Sequence, residues 1–155
     1  MPSLLAVDLG LKTGLALYEE NGKLSWYRSH NFGTTERLRR ALPGIMEGIS
    51  DLTALIIEGG GNLATVWERE AQKREITVYR IDAGKWRQLF LFPREQRTGL
   101  DSKKHAGEVA RRIIEWSAAS RPTSLRHDAA EAIMIGMWGV LKLGWLNELP
   151  KELQR

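Results

Sequence analysis

The sequence predicts an α/β fold: a mixed five-stranded sheet, its first three strands an antiparallel meander, with helices on its faces. Three observations carry this. Two short, continuously apolar runs, Leu4-Leu5-Ala6-Val7 and Thr53-Ala54-Leu55-Ile56-Ile57, look like buried central strands, and each closes on a carboxylate, Asp8 and Glu58. A turn signal, Glu19-Glu20-Asn21-Gly22, separates two further strand-like segments. Apolar residues at helical spacing fill most of the rest.

Taken in order, the first strand stops at Asp8-Leu9-Gly10, and residues 13–18 and 23–30 pair across the Asn21-Gly22 turn. Thr34 or Thr35 caps a helix carrying Leu38, Leu42, Ile45 and Ile49, which Pro43-Gly44 is expected to kink or interrupt. The strand ending at Glu58 leads through Gly59-Gly60-Gly61 into a helix capped by Asn62 and reaching Lys73. Residues 76–81 give a fifth strand, and the chain is then helical around a break from Phe92-Pro93 to Gly99. The last main helix follows Pro122-Thr123-Ser124, with Ser124 as its N-cap, and runs through Asp128, Glu131, Ile135 and Trp138. Trp67, Phe90 and Trp116 are assigned to packing.

At 155 residues and 43% apolar content the chain fits one globular domain, residues 1–155, with no repeat or low-complexity tract. It has no Cys and three His (His30, His105, His127), which excludes disulfides, a thiolate zinc site and a cysteine nucleophile. A bound metal must be held mainly by carboxylates. The longest apolar run, residues 132–141, is too short for a membrane span. The first residues lack the basic start and apolar stretch of a signal peptide. The expected location is cytoplasmic, nucleoid-associated or in an infected host cell, with an organelle matrix also allowed, and the expected partners include no membrane and no small-molecule cofactor.

Net charge is +4, but residues 85–126 carry ten basic and four acidic side chains, while the remainder is net −2. A basic stretch that includes Lys85, Arg87, Arg97, Lys103 and Lys104 suits a polyanion-binding face; a basic run alone is more often a solvated helix surface. Lys12-Thr13 is a phosphate-contact candidate or a plain hairpin turn. Gly60 and its neighbours let a DNA backbone approach closely, or simply make a flexible turn.

The chemistry lies in four acids. Parallel strands joined by a crossover helix are commonly neighbours, which would bring Asp8 and Glu58 side by side. Asp128 and Glu131, three apart on a helix, share the face that continues into Ile135 and Trp138 and therefore turns toward the sheet. Singly, each acid has an ordinary explanation as a strand end, turn or dipole partner. Together they would repel strongly unless protons or cations were present. Divalent metal is the economical answer, and Mg²⁺ or Mn²⁺ with all-oxygen ligands points to phosphodiester hydrolysis.

These segments resemble a known family. Residues 4–18 (LLAVDLGLKTGLALY), 55–61 (LIIEGGG) and 127–136 (HDAAEAIMIG) are similar to the metal-site segments of the RuvC-type Holliday junction resolvases, within the ribonuclease H-like superfamily. The resemblance implies a ribonuclease H-like fold in which Asp8, Glu58, Asp128 and Glu131 bind two Mg²⁺, with Mn²⁺ able to substitute. It implies a homodimer that nicks a four-way junction or other branched DNA symmetrically, leaving 5′-phosphate and 3′-hydroxyl ends. Trp86-Arg87 and residues 98–104 (TGLDSKK) resemble the family's basic residue and Gly…Lys segment near the scissile phosphate, with Lys103 or Lys104 the counterpart of its lysine. The Trp-basic pair and Ala130-Glu131-Ala132 are closer to chloroplast and phage-like members than to bacterial ones. Bacterial members usually carry Asp-Pro-Gly where this chain has Asp8-Leu9-Gly10, and Gln-Val-Phe where it has Gly59-Gly60-Gly61; both departures bear on sequence preference.

Two alternatives stay open beside a resolvase: another ribonuclease H-like nuclease acting on RNA/DNA hybrid or branched nucleic acid, and a non-catalytic branched-DNA binder. An actin-like ATPase shares the opening strand and hairpin but needs a duplicated domain that 155 residues do not supply. His127 is either a ligand or proton shuttle, or a packing residue at a helix end, since neighbours on a helix point about 100° apart and both it and Asp128 cannot face one ion equally. The apolar stretch 129–141 is either a dimer surface or a face buried under residues 143–149.

Overall fold

The computed structural model describes residues 1–90 and 98–154. Five strands form one sheet: β1 (Ser3–Asp8), β2 (Lys12–Glu19), β3 (Leu24–Asn31), β4 (Leu52–Glu58) and β5 (Thr77–Ile81), in the order β3-β2-β1-β4-β5. The first three pair antiparallel, whereas β1, β4 and β5 run parallel, giving the mixed sheet and opening meander expected. Among the described residues five α-helices accompany it: α1 (Thr35–Glu47), α2 (Gly61–Lys73), α3 (Ala83–Phe90), α4 (Gly99–Ser117) and α5 (His127–Lys142). A short 3₁₀ turn (Lys151–Leu153) follows. Among the described residues, no helix is long and apolar enough to cross a membrane.

The unbroken apolar runs are explained by helices on both faces of the sheet. Successive strand side chains point to opposite faces. Leu4, Ala6, Ala16, Tyr18, Ala54 and Ile56 pack with α3, α4 and α5; Leu5, Val7, Leu15, Leu17, Leu55 and Ile57 pack with α1 and α2. A strand covered on both sides has no place for a polar residue until it emerges at its tip, and the tips of β1 and β4 are where Asp8 and Glu58 stand.

Helix α5 is pressed closely onto this sheet. A Cβ at Gly136 would lie 2.3 Å from the Tyr18 ring, one at Gly139 would lie 2.7 Å from Ile56, and one at Gly14 of β2 would lie 1.9 Å from the Asp128 backbone oxygen. The fully buried Tyr18 hydroxyl donates to the Ile133 carbonyl, 2.5 Å away. Helix α4 packs along α5, and Leu143, Trp145, Leu146 and Leu149 of the following segment join the same core cluster, so the apolar character of α5 is accounted for by burial within the chain.

Several local expectations are corrected. Pro43 does not end α1, which continues from Thr35 to Glu47 with Leu38, Leu42 and Met46 buried; Thr34 caps it, accepting the Arg37 N–H at 3.1 Å. Proline removes one helical hydrogen bond, and the buried face holds the helix regardless. Ile49 is buried but lies beyond that helix. The N-cap of α2 is Gly60 rather than Asn62, because Gly59 (φ 119°) and Gly61 (φ 75°) take left-handed conformations that turn the chain into the helix two residues early. The N-cap of α5 is Arg126 rather than Ser124. The anticipated break around Phe92-Pro93 lies, up to residue 97, outside the described residues.

Candidate metal centre and nucleic-acid interface

Asp8 and Glu58 are register partners at the carboxyl ends of neighbouring parallel strands. Across them lies Glu131 of α5, whose side chain is only 10% exposed. One carboxylate oxygen from each of these three lies within 4.8 Å of the others. The sheet register explains the placement, for Asp8 pairs with Gly14 and Gly14 with Ser29 across three strands. With no side chain at Gly14, the first turn of α5 settles over β2, and Glu131 reaches the strand tips one turn on.

Asp128 borders this trio rather than joining it. Its Oδ2 accepts the Ser29 hydroxyl at 2.8 Å and its Oδ1 accepts the Ala129 N–H at 2.8 Å, yet it is near enough to act electrostatically on Asp8. His127, the residue before it, meets Glu131 instead: its Nε2 lies 3.0 Å from Glu131 Oε1. Arg87 Nη2 approaches the same oxygen at 3.5 Å while its guanidinium lies 5.1 Å from the centre of the Trp86 ring.

Burial, followed by the charges of Glu131, Glu58 and Asp128, pushes the Asp8 carboxyl up to about 9. Burial also raises Glu58, partly offset by the hydrogen bond it accepts from Trp86. The cluster thus holds a proton that a divalent cation would replace, and a set of hard oxygen donors, Glu131 buried and Asp8 and Glu58 partly so, fits Mg²⁺ or Mn²⁺. A consequence for stability follows. Without metal the folded protein retains the Asp8 proton between the ordinary value of 3.8 and about 9, whereas the unfolded chain releases it. Stability therefore falls as pH rises through that window. In EDTA the Tm should decline between about pH 5 and pH 9, and excess Mg²⁺ should flatten the decline. A Tm in EDTA that holds level or climbs over this range would contradict the assignment.

The residues read as DNA contacts divide into two groups. Lys12, Gly60, Lys85, Lys103 and Lys104 are exposed, with Lys12 opening β2, Gly60 at the mouth of α2, Lys85 on α3 and the lysine pair in the first half of α4. Arg97 lies outside the described residues. Thr13 is corrected to its hairpin role, being fully buried with its hydroxyl donating to the Gly10 carbonyl at 2.6 Å. Trp86 is also corrected: it is fully buried, and its Nε1–H donates to Glu58 Oε2 at 2.5 Å, so it supports the acid cluster from behind. Arg87 is half-buried and turned toward Glu131. Ser29 went unread in the sequence, and so did Arg80, which reaches the Gly59 carbonyl at 3.5 Å and pairs with Glu68 at 3.5 Å beside the glycine turn.

The sheet order, the helices on both faces and the acids at the strand tips define the ribonuclease H-like α/β fold. Among solved structures, the chain matches RuvC of T. thermophilus, determined in complex with a Holliday junction substrate, with a TM-score of 0.63 over 93% of this chain and 97% of that one, at 17% identity. No family model and no curated protein sequence matches the chain.

Proposed function

We propose that this protein is a RuvC-type resolvase, a structure-selective DNA endonuclease that cuts four-way junctions by divalent-metal-dependent phosphodiester hydrolysis. The observation carrying this reading is the cluster of Asp8, Glu58 and Glu131 at adjoining strand tips, within a fold shared almost end to end with RuvC. Asp8, Glu58 and Glu131, with Asp128 at the margin, are the residues that would hold two Mg²⁺, Mn²⁺ serving in their place. When bound, the ions supply an activated water and neutralise charge at the leaving 3′-oxygen, leaving 5′-phosphate and 3′-hydroxyl ends.

The chain's own residues do the rest. Asp8 and Glu58 are fixed by strand pairing, so their carboxylates are placed before substrate arrives. His127 and Arg87 hold Glu131 Oε1 from two sides. Lys12, Lys85, Lys103, Lys104 and the open backbone at Gly60 offer phosphate contacts, with Lys103 or Lys104 neutralising charge at the scissile phosphate. A homodimer would match the two-fold symmetry of the junction. Such a protein works where DNA is, in the cytoplasm or an organelle matrix.

The test is a side-by-side assay of a four-way DNA junction, a linear duplex and an RNA/DNA hybrid in Mg²⁺. The junction should be cut well above the other two. Cutting of the hybrid alone would assign a ribonuclease H activity, and tight junction binding with no cutting in Mg²⁺ or Mn²⁺ would assign a binding protein.

A further inference from the structure

Trp86 has a place in this protein that neither its aromaticity nor its basic neighbour foretold. It lies in α3, is fully buried among Ile81, Phe90 and the α5 core, and aims its one polar atom at Glu58. An indole N–H only donates, and left unpaired in a core it costs about 1–3 kcal/mol. Here it is given to a carboxylate oxygen at 2.5 Å. Trp67, equally buried on the opposite face of the sheet, has no partner for its N–H among the described residues, so an indole interred in this fold does not automatically find an acid.

Glu58 needs such a partner. It is the last residue of β4, and the chain leaves it through Gly59 at φ 119°, a conformation with no side chain to brace its neighbour. Its carboxylate otherwise lies beside the acids Asp8 and Glu131, with Asp82 adding like charge and Arg87 opposing it. The next residue of α3, Arg87, approaches Glu131, so two consecutive side chains of one helix address two of the three clustered acids.

We propose that Trp86 is a positioning residue for the metal centre: its indole N–H holds one Glu58 oxygen in place, leaving the other aimed into the cluster, and so sets the affinity for divalent metal. This rests on the metal-centre reading above. Partners that orient ligands in this way typically contribute about 10–100-fold to metal affinity.

The test is metal binding by the full chain without DNA. In Trp86→Phe, which keeps an aromatic ring and removes the donor, the calorimetric Kd for Mn²⁺ should rise about 10-fold or more. Trp67→Phe, a comparable cut in the other core, should leave it within about twofold. In the Glu58→Gln background, Trp86→Phe should add no further loss. In parallel, the Trp86 indole ¹H–¹⁵N resonance, assigned in the wild type from through-space contacts, should move on addition of Mg²⁺ and in Glu58→Gln, with the Trp67 resonance unmoved. The resonance decides the matter even if Trp86→Phe folds poorly. Equal Kd values for the two Trp variants, or a Trp86 resonance indifferent to both Mg²⁺ and Glu58→Gln, would overturn the inference. A wild type that binds no Mn²⁺ would remove the metal centre and this role with it. Normal Mn²⁺ binding with the expected Trp86 effect but no junction cutting would leave the role intact and defeat only the substrate reading.

Discussion

Asp8→Asn is expected to abolish cleavage, by about 1,000-fold or more, while raising the Tm of the metal-free protein. The two effects share one cause. Asp8 is the acid most strongly perturbed by burial and by Glu131, Glu58 and Asp128, so without metal it must take up a proton to fold at neutral pH. Asparagine is neutral folded and unfolded alike and avoids that cost. At about 2–4 °C per kcal/mol for a chain of this size, even about 1 kcal/mol of relief is measurable by thermal unfolding. The same substitution removes a metal ligand, and loss of several kcal/mol of transition-state stabilisation corresponds to the rate loss stated, each 1.36 kcal/mol being tenfold. Junction binding should persist, since Asp8 is an acid and not a phosphate contact. Gain of stability with loss of activity is the signature of a site held together by its metal. A variant that keeps wild-type rates, or that loses activity through a lowered Tm, would count against the assignment.

Gly14→Ala is expected to damage both stability and activity, because position 14 is where α5 comes down on the sheet. The added Cβ would meet the Asp128 carbonyl oxygen at 1.9 Å and its carbon at 2.4 Å, and these are backbone atoms that cannot rotate away. The helix must lift, at an overpacking cost of about 1–3 kcal/mol. Lifting it withdraws Glu131 and Asp128 from Asp8, so cleavage should fall further than the loss of folded protein explains. Gly44→Ala provides the contrast. Nothing lies within 4 Å of that position in α1, so alanine there should stabilise by about 0.5–1 kcal/mol with cleavage unchanged. Urea unfolding and cleavage rates on the two variants measure the difference; equal behaviour would mean that the close approach at Gly14 does not govern the site.

Much of this architecture was legible in the sequence for a definite reason. Strands covered on both faces must be continuously apolar, so a carboxylate at the end of such a run stands out, and Asp8 and Glu58 did. Glu131 followed from helical spacing alone. What escaped is what depends on exact register and on glycine geometry. A straight ladder through the Tyr18–Leu24 pair would set Arg28 opposite Gly14, but a bulge between Leu17 and Tyr18 shifts the pairing by one residue. That shift places Ser29 there instead, beneath Asp128, and no local pattern announces a bulge. The early start of α2 hangs on left-handed glycines that composition could not order. The family resemblance sets Trp86-Arg87 near the scissile phosphate, yet Trp86 is fully buried, and an aromatic beside an arginine looks alike in sequence whether its ring faces solvent or core. Only the path of α3, which turns it inward against Glu58, separates the two.

The measurement that bears most directly on the central claim is strand-by-strand mapping of the cuts. A mobile four-way junction, each of its four strands labelled in turn, is incubated with the protein and Mg²⁺ and resolved on a denaturing gel. Paired nicks are expected at symmetry-related positions in two strands of like polarity, with ends that a DNA ligase reseals directly, and none in EDTA or with Asp8→Asn. Uncut junction in both Mg²⁺ and Mn²⁺, or nicks that persist undiminished in Asp8→Asn, would contradict it.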